Sequence, residues 1–466
     1  MVKLKRFEPP SLEATAARML ASAEAGAPLP SVIRDAARME HDKRVKTELE
    51  TVLRRAELGL PLKECVEQVE ARGLKELLRG MREAAETSGG LAEWLRFKLE
   101  ELLRLKRERL RRAVLSLTLL SEAYIALAVV MPLTLFIIVT LLSGLGSPLP
   151  LSPVDQLNLL VLVGVPALTT IALLALNAAL SGVQPLKPKT SLTQRLSWTG
   201  LTLPAAALAF YAYSGSYNPA QSLLPLNPEV TVTLALTILA GLTPASLIYH
   251  LEARRATRIS KEVPALLRSA LDAVKGGAPT LQALEAASTP PKDPLRKELK
   301  RSVNAFKLGL SLEASFKDLA SRLKHPEAEA LSLTLLNACR SGDRGAHVLE
   351  AASHAYASLE EFRRTRILET RPYLAVAYAA TLIFLAVSLT TLLLLVKPLT
   401  LTGLGAVLKM PSLNALTSLT LWACLAESIS AGLYAGLTSS GSAASGLKHG
   451  LLMGAVSLAA FKLFAF

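Results

Sequence analysis

The chain has 466 residues, 51% of them hydrophobic, and carries 52 Lys and Arg against 38 Asp and Glu, a formal net charge of +14. The charges are concentrated in two segments: residues 1–112 hold 24 basic and 19 acidic side chains, and residues 251–371 hold 21 and 15. Only 7 basic and 4 acidic side chains remain for the other 233 residues. This segregation excludes a single water-soluble globule, and it indicates an integral membrane protein with basic soluble parts.

Seven apolar stretches approach or reach the length of about 20 residues that a membrane-spanning helix needs. In chain order they are residues 113–142, 157–180, 197–213, 230–250, 373–396, 413–437 and 450–466. The third and the seventh are the shortest. The sequence therefore predicts an all-α, polytopic membrane protein with about seven transmembrane helices.

Lys and Arg in the short loops predict which side each soluble segment occupies. Residues 143–156 and 214–229 contain neither residue and suit the outside, whereas Lys187, Lys189 and Arg195 suit the inside. Lys397 and Lys409 fall on the predicted outside and depart from this rule. The expected organisation is a cytoplasmic helical module at 1–112, four spans in 113–250, a second cytoplasmic module at 251–371 and three spans in 372–466.

The two soluble segments resemble each other. Residues 25–37 read AGAPLPSVIRDAA and residues 276–288 read GGAPTLQALEAAS. A Leu-Gly-Leu turn follows in each copy, around Gly59 and Gly309, and then a Ser-Gly pair at Ser88 and Ser341. Offsets of 250 to 253 residues predict a repeated unit, made of a cytoplasmic module and the membrane helix after it.

Each module is predicted to be a small antiparallel helix bundle, because apolar residues recur at helical spacing and runs of period two are nearly absent. Gly-containing breaks divide the first module into about four helices, since Gly favours a helix C-terminus and Pro or Ser favours the next N-terminus. The residues that define these turns are Gly26, Pro28, Gly59, Glu86, Gly89, Gly90, Gly277, Pro279, Gly309 and Gly342.

Signatures of catalysis and of cofactor binding are missing from the sequence. No G-x-x-x-x-G-K-[ST] phosphate loop occurs, nor H-E-x-x-H or G-x-S-x-G. Three scattered cysteines and six scattered histidines give no metal-ligand spacing. We therefore expect no catalytic residue, no cofactor and no metal. Nucleic-acid binding is not expected either, because the basic runs carry no interleaved aromatic residues. These basic runs directly precede membrane spans, where we expect them to contact anionic lipid heads.

Two acidic residues lie within the predicted spans, where a charge is costly and is a functional candidate by default. Glu122 is ten residues beyond Arg112, so an interfacial position and a buried polar contact remain equally open. Glu427 lies near the centre of its span beside Ser428 and Ser430. An interhelical hydrogen bond is favoured there over a substrate or proton site.

The Gly26 to Ala36 segment, the Leu58 to Leu62 turn and the run Glu86-Thr87-Ser88-Gly89-Gly90-Leu91 resemble the cytoplasmic module of the type II secretion system F-protein family. The tandem arrangement is most similar to archaeal platform proteins of the type IV pilus or archaellum type, and it is similar to the tight-adherence C proteins. Copy two departs from this pattern, because Cys339 aligns with Glu86.

The resemblance implies a non-enzymatic platform protein in the cell membrane that couples a cytoplasmic hexameric ATPase to the assembly of filament subunits. Its implied partners are that ATPase, pilin-like or archaellin-like subunits and the bilayer, and a homodimer is expected. A secondary transporter with repeated modules is the alternative. The candidate ATPase contacts flank the Leu-Gly-Leu turns: Arg54, Arg55, Lys63, Lys300, Arg301 and Lys307.

Overall fold

A computed structural model describes residues 12–40, 42–87, 90–142, 152–180, 199–214, 224–289, 293–323, 325, 327–402 and 410–465. Within these ranges all regular structure is helical. The described residues form two compact units, of which the first contains residues 12–110 and 253–366. The second contains the rest of the described chain, within 111–252 and 367–465.

The helices are numbered here in chain order. Those up to the middle of the chain are α1 (Leu12–Glu24), α2 (Leu29–Met39), α3 (Lys43–Glu57), α4 (Leu62–Glu67), α5 (Arg72–Glu86), α6 (Leu91–Tyr124), α7 (Met131–Leu142), α8 (Pro153–Leu159), α9 (Val165–Leu180), α10 (Thr199–Tyr213) and α11 (Pro228–Lys275). Those that follow are α12 (Thr280–Ala287), α13 (Pro294–Lys307), α14 (Leu312–Leu323), α15 (Ala328–Arg340), α16 (Gly345–Thr370), α17 (Pro372–Thr390), α18 (Lys397–Leu401), α19 (Leu413–Ser440) and α20 (Leu447–Phe464).

Short segments of other helical types join some of these elements. Three π-helical segments connect α6 to α7, α8 to α9 and α17 to α18, at Ile125–Val130, Leu160–Gly164 and Thr391–Val396. Two 3₁₀ segments, Gly342–Arg344 and Ala443–Gly446, precede α16 and α20. The helical path is therefore nearly continuous from α16 to α18.

Both modules lie in the first unit and have the same order of helices. Copy one uses α1 to α5 and the beginning of α6, and copy two uses the end of α11, then α12 to α15 and the beginning of α16. The estimate of about four helices for copy one is too low. Two helix boundaries have no glycine signal: Asp42 caps α3 by accepting a hydrogen bond from the Arg44 N–H, and α5 begins after Ala71, whose N–H donates to Glu48.

The core of copy one is built from apolar residues one helical turn apart. In α5 these are Leu74, Leu77, Leu78 and Met81, all at most 1% exposed, so one face of the helix is completely covered. Ala351, Ala355 and Leu359 of α16 belong to this same core. Copy two therefore contributes part of the hydrophobic core of copy one.

Polar contacts also join the two modules. Asn337 Nδ2 donates to Ser22 Oγ over 3.3 Å, and Arg107 pairs with Glu361 over 3.3 Å. The Lys106 ammonium lies 5.0 Å from the centroid of the Phe362 ring, within range of a cation–π contact. The first unit is thus one packed body rather than two independent bundles.

Six helices of the described chain are long and apolar enough to cross a membrane: Leu91–Val139, Val154–Leu180, Pro228–Lys275, Gly342–Leu401, Leu413–Ser440 and Ala443–Phe464. The prediction of an all-α polytopic membrane protein is confirmed. The predicted third span falls on α10, whose apolar part, Thr202–Tyr213, is shorter than these helices. The count of seven therefore stays a prediction.

Within the second unit, α19 and α20 pack against each other through glycines. A Cβ atom at Gly432 would overlap the backbone of Gly450, and one at Gly436 would overlap the backbone of Gly446. Small residues allow two helix backbones to approach closely, which favours association in an apolar medium where the hydrophobic effect is weak. This pairing accounts for glycine at four positions where larger side chains would be better helix formers.

Candidate functional site

The first turn of each module has the same backbone geometry. Gly26 and Gly277 have φ of 79° and 93°. In copy one, Gly26 N–H donates to Ala23 O and Ala27 N–H to Ser22 O; in copy two the corresponding bonds run from Gly277 to Val274 and from Ala278 to Ala273. This is the Schellman pattern. Pro28 and Pro279 then precede α2 and α12 with extended ψ of 154° and 143°.

The Leu-Gly-Leu turns between α3 and α4 and between α13 and α14 are equally alike. Gly59 and Gly309 have φ of 87° and 99°, and each donates to the carbonyl three residues earlier, over 3.0 and 2.9 Å. The following leucines, Leu60 and Leu310, each donate five residues back over 3.2 Å. Positions at the same place in the two copies are called equivalent below; they are 250 residues apart around these turns, 251 apart around the first turn and 254 apart in α6 and α16.

The third turn differs between the copies. Gly90 has φ of 78° and Gly342 has φ of 54°, so these two glycines share the left-handed conformation, whereas Gly89 lies outside the described residues. Glu86 is the last residue of α5 and approaches Arg82 Nε at 3.8 Å. In copy two, Cys339 is a free thiol inside α15, and burial raises its pKa to about 12.

The six candidate basic residues fall into two groups. Arg301 pairs with Glu298 over 2.9 Å and Lys307 pairs with Glu285 over 2.6 Å. The other four form no ion pair within the part of the chain that the structure describes, and their side chains are exposed or half-buried: Arg54, Arg55, Lys63 and Lys300. Arg301 and Lys307 would have to leave these ion pairs to contact a partner, whereas the other four have no such ion pair to break.

Several charges at equivalent positions of the two modules are opposite in sign. Arg34 of α2 pairs with Glu57 of α3 over 2.9 Å, while Glu285 of α12 pairs with Lys307 of α13 over 2.6 Å. Lys63 likewise has Glu313 as its equivalent. The two turns therefore do not present the same charge to a partner.

A second ion pair shows the same inversion. Glu24 at the end of α1 pairs with Arg96, the sixth residue of α6, over 2.6 Å. Lys275 at the end of α11 pairs with Glu350, the sixth residue of α16, over 2.7 Å. Sequence reasoning missed both inversions, although writing the two copies one above the other at these offsets would have revealed opposite charges.

The two acidic residues that were predicted to lie within membrane spans belong to the second unit and have different environments. Glu122 is exposed on α6, whereas Glu427 of α19 is completely buried. Tyr124 Oη donates to Glu427 Oε1 over 2.8 Å, and Glu427 Oε2 has no hydrogen-bond partner among the described residues. Tyr124 also stacks on Tyr434 with ring centroids 4.3 Å apart. Tyr124 was missed because its side chain carries no formal charge.

No group of three or more His, Cys, Asp or Glu side chains in the described ranges is placed to hold a metal ion. The arrangement that stands out is structural: two helical modules in one body, each with the same first two turns, and a set of helices apolar enough to cross a membrane. These features define a polytopic membrane protein that presents a duplicated helical surface.

The family model for type II secretion system (T2SS), protein F, matches residues 15–139 and 266–393. These segments make up more than half of the chain, so the chain belongs to this family. Each matched segment contains most of one module and the apolar helix that follows, as the repeat predicts. No match was found among curated proteins or among solved structures.

Membership assigns the chain to the membrane platform proteins of type II secretion and type IV pilus-like systems, and it supports a multi-pass location in the cell membrane. Proteins of this family are non-enzymatic and interact in general with secretion ATPases and pilin-like subunits. The resemblance inferred from the turn motifs is confirmed at the level of the family.

Proposed function

We propose that this platform protein couples a cytoplasmic hexameric ATPase to the assembly of filament subunits, and that it performs no catalysis itself. The observation that carries the proposal is the first unit, in which two modules with the same helix order and the same first two turns pack into one body. A rigid body of this kind can transmit a displacement, because a packed protein interior has low compressibility.

The sequence supports this division of labour, because it contains no phosphate loop of the Walker type. The energy of hydrolysis would then come from another molecule. A pilin-like or archaellin-like subunit would then leave the bilayer beside the second unit, in an archaellum, a type IV pilus or a related system. Dimerisation of the platform would match the even symmetry of a hexameric ring.

Binding to the ATPase is expected to depend on salt, since the free cations of the modules favour encounter with an acidic surface. The test is reversal to Glu of the four residues without an ion pair: Arg54, Arg55, Lys63 and Lys300. A matched control reverses four exposed cations elsewhere in the same modules: Arg38, Lys43, Arg268 and Lys297. Arg301 and Lys307 are left unchanged, because their reversal would break ion pairs within copy two.

The first set should abolish filament assembly and weaken binding to the purified ATPase, while membrane insertion stays normal. The control set should leave both intact. Normal filaments after the first reversal would refute coupling through these cations, and ATP hydrolysis by the purified chain alone would refute the proposed division of labour.

The orientation of the modules is part of the proposal. In a chain whose native cysteines are replaced, a membrane-impermeant reagent applied to intact cells should label a cysteine placed at Ser147 or Asn218. It should leave a cysteine at Ser88 or Ser341 unlabelled, because the basic segments are expected to remain in the cytoplasm. Labelling of Ser88→Cys from outside would contradict the cytoplasmic assignment.

A further inference from the structure

Exposed apolar side chains of the first unit are concentrated in the two Leu-Gly-Leu turns. Among its described residues, large hydrophobic side chains are exposed at six positions, and four of these are Leu58, Leu60, Leu308 and Leu310. Leu58 is 76% exposed and its equivalent Leu308 is 85% exposed. Single exposed leucines are ordinary on protein surfaces, but the same pair at the same place in two modules is a repeated feature.

The geometry of the turn does not require these leucines. The Schellman pattern needs a residue that tolerates positive φ, which Gly59 and Gly309 supply. The residue after that glycine often makes an apolar contact with the last turn of the helix. Five residues before Leu60 and Leu310 lie Arg55 and Ala305. Leu60 and Leu310 nevertheless remain 45% and 47% exposed. Leu58 and Leu308 precede the glycine, where the motif makes no demand for an apolar side chain.

The surroundings of the turns have diverged while the leucines have not. Residues 51–66 and 301–316 have nearly the same order of buried, half-buried and exposed positions. Within these two segments the position of Glu57 in copy one is occupied by Lys307 in copy two, and the position of Lys63 is occupied by Glu313. The chemistry that the two exposed turns have in common is therefore apolar and not ionic.

We propose that the two Leu-Gly-Leu turns dock into identical apolar pockets on a homo-oligomeric protein partner, one pocket on each of two of its subunits. Two surfaces of the same shape and chemistry fit a partner that repeats one pocket by symmetry. The inference rests on the proposed function in one respect, because the hexameric ATPase would be such a partner. In this proposal the exposed leucines, and not the basic residues beside them, make the short-range contact with the partner.

Site-specific photocrosslinking of the full chain in the membranes of its native host tests this proposal. A photoreactive amino acid replaces Leu58, Leu308 or, as the matched control, Phe97, which is 68% exposed on α6 and belongs to neither turn. The expected result is that positions 58 and 308 form adducts with the same segment of the same polypeptide. The yield of that adduct at position 97 should be at least tenfold lower.

Adducts to different polypeptides, to lipid or to a second copy of this chain at positions 58 and 308 would overturn the proposal. So would equal yields at all three positions. A control for folding is available in Leu58→Ser and Leu308→Ser, since loss of an exposed side chain should not change the hydrogen exchange of the modules.

The same adducts separate this inference from the proposed function. If both turns capture one segment of a homo-oligomer that is not an ATPase, the docking surface stands and the proposed function fails. If the chain binds a secretion ATPase and no adduct forms at either turn, the docking surface is wrong and the proposed function stands.

Discussion

The two modules of the first unit have the same helix order and the same first two turns, but the polarity of two of their ion pairs is reversed. Their glycine turns form the same hydrogen bonds at Gly26 and Gly277 and at Gly59 and Gly309. The ion pairs that join equivalent helices have reversed polarity, as in Arg34–Glu57 and Glu285–Lys307. Helix order therefore depends on turn conformation and apolar spacing, whereas the polarity of a surface ion pair can be reversed when both partners change together.

The reversed polarity of the ion pairs also affects whether helices of the two modules could exchange places. If a helix of one module replaced its counterpart in the other, Arg34 would face Lys307 and Glu285 would face Glu57. The pair at the other end of the module would likewise bring Glu24 to Glu350. Like charges disfavour such exchanges, which is a means of specifying one arrangement against its alternatives.

The modules also differ in whether a helix of the other copy packs into their core. Ala351 and Leu359, the seventh and fifteenth residues of α16, are buried in the core of copy one. The seventh and fifteenth residues of α6 are Phe97 and Leu105, which are 68% and 37% exposed. The packing between the copies is therefore not reciprocal.

Truncation of equivalent leucines should give the largest difference between the modules. Leu359→Ala should lower the free energy of unfolding of copy one by about 2–3 kcal/mol, because it opens a cavity in a covered core. Leu105→Ala should cost less than about 1 kcal/mol, since its side chain is partly in water already. Hydrogen exchange of peptides from α1 and α5 measures the loss in copy one for Leu359→Ala, and peptides from α14 and α15 measure the loss in copy two for Leu105→Ala. Equal losses would contradict non-reciprocal packing.

Replacement of turn glycines should give effects of similar size in both copies. Gly26→Ala and Gly277→Ala should each cost about 1–2 kcal/mol, because positive φ is unfavourable for residues with a Cβ atom. Gly26→Ala should cost the more, since its Cβ would displace the Arg344 guanidinium, whereas nothing lies within 4 Å at Gly277. Thermal unfolding in detergent measures the loss.

Asparagine is the matched control for these glycines, because it tolerates the left-handed conformation better than alanine does. Gly277→Asn should therefore retain more of the stability than Gly277→Ala. If alanine and asparagine were equally harmful at this position, backbone strain would not be the cause.

Inverted ion pairs should give the smallest effect. Lys307→Glu alone should destabilise copy two, and adding Glu285→Arg should restore stability by converting the pair to the polarity of copy one. The coupling energy should be about 0.2–1 kcal/mol, as for other exposed pairs, and should shrink with added salt. A double-mutant cycle measures it, and a coupling of zero at low salt would mean that the inversion has no energetic role.

Much of this organisation follows from the sequence. Membrane helices are recognisable because about 20 apolar residues in succession have few alternatives, and the repeat is visible because glycine at positive φ is hard to replace. The helix boundaries at Asp42 and Ala71 could not be anticipated, since they depend on a local cap and on a hydrogen bond to Glu48.

The position of the candidate surface could be predicted from the sequence, but the side chains that it exposes could not. The Leu-Gly-Leu turns can be recognised from the repeat. The exposure of Leu58 and the ion pair of Lys307 with Glu285 depend on tertiary packing. The contact from Tyr124 to Glu427 joins residues 303 positions apart, and a single sequence contains no signal that brings them together.

The most direct test is the affinity of the purified full chain, in lipid nanodiscs, for the hexameric secretion ATPase that we propose as its partner. The variants are Leu58→Ser, Leu308→Ser, the double substitution and the control Phe97→Ser. Because two linked contacts bind far more tightly than one, each single change should weaken binding at least tenfold and the double change should abolish it. Unchanged affinity in the double variant, or no binding by the unaltered chain, would contradict the account.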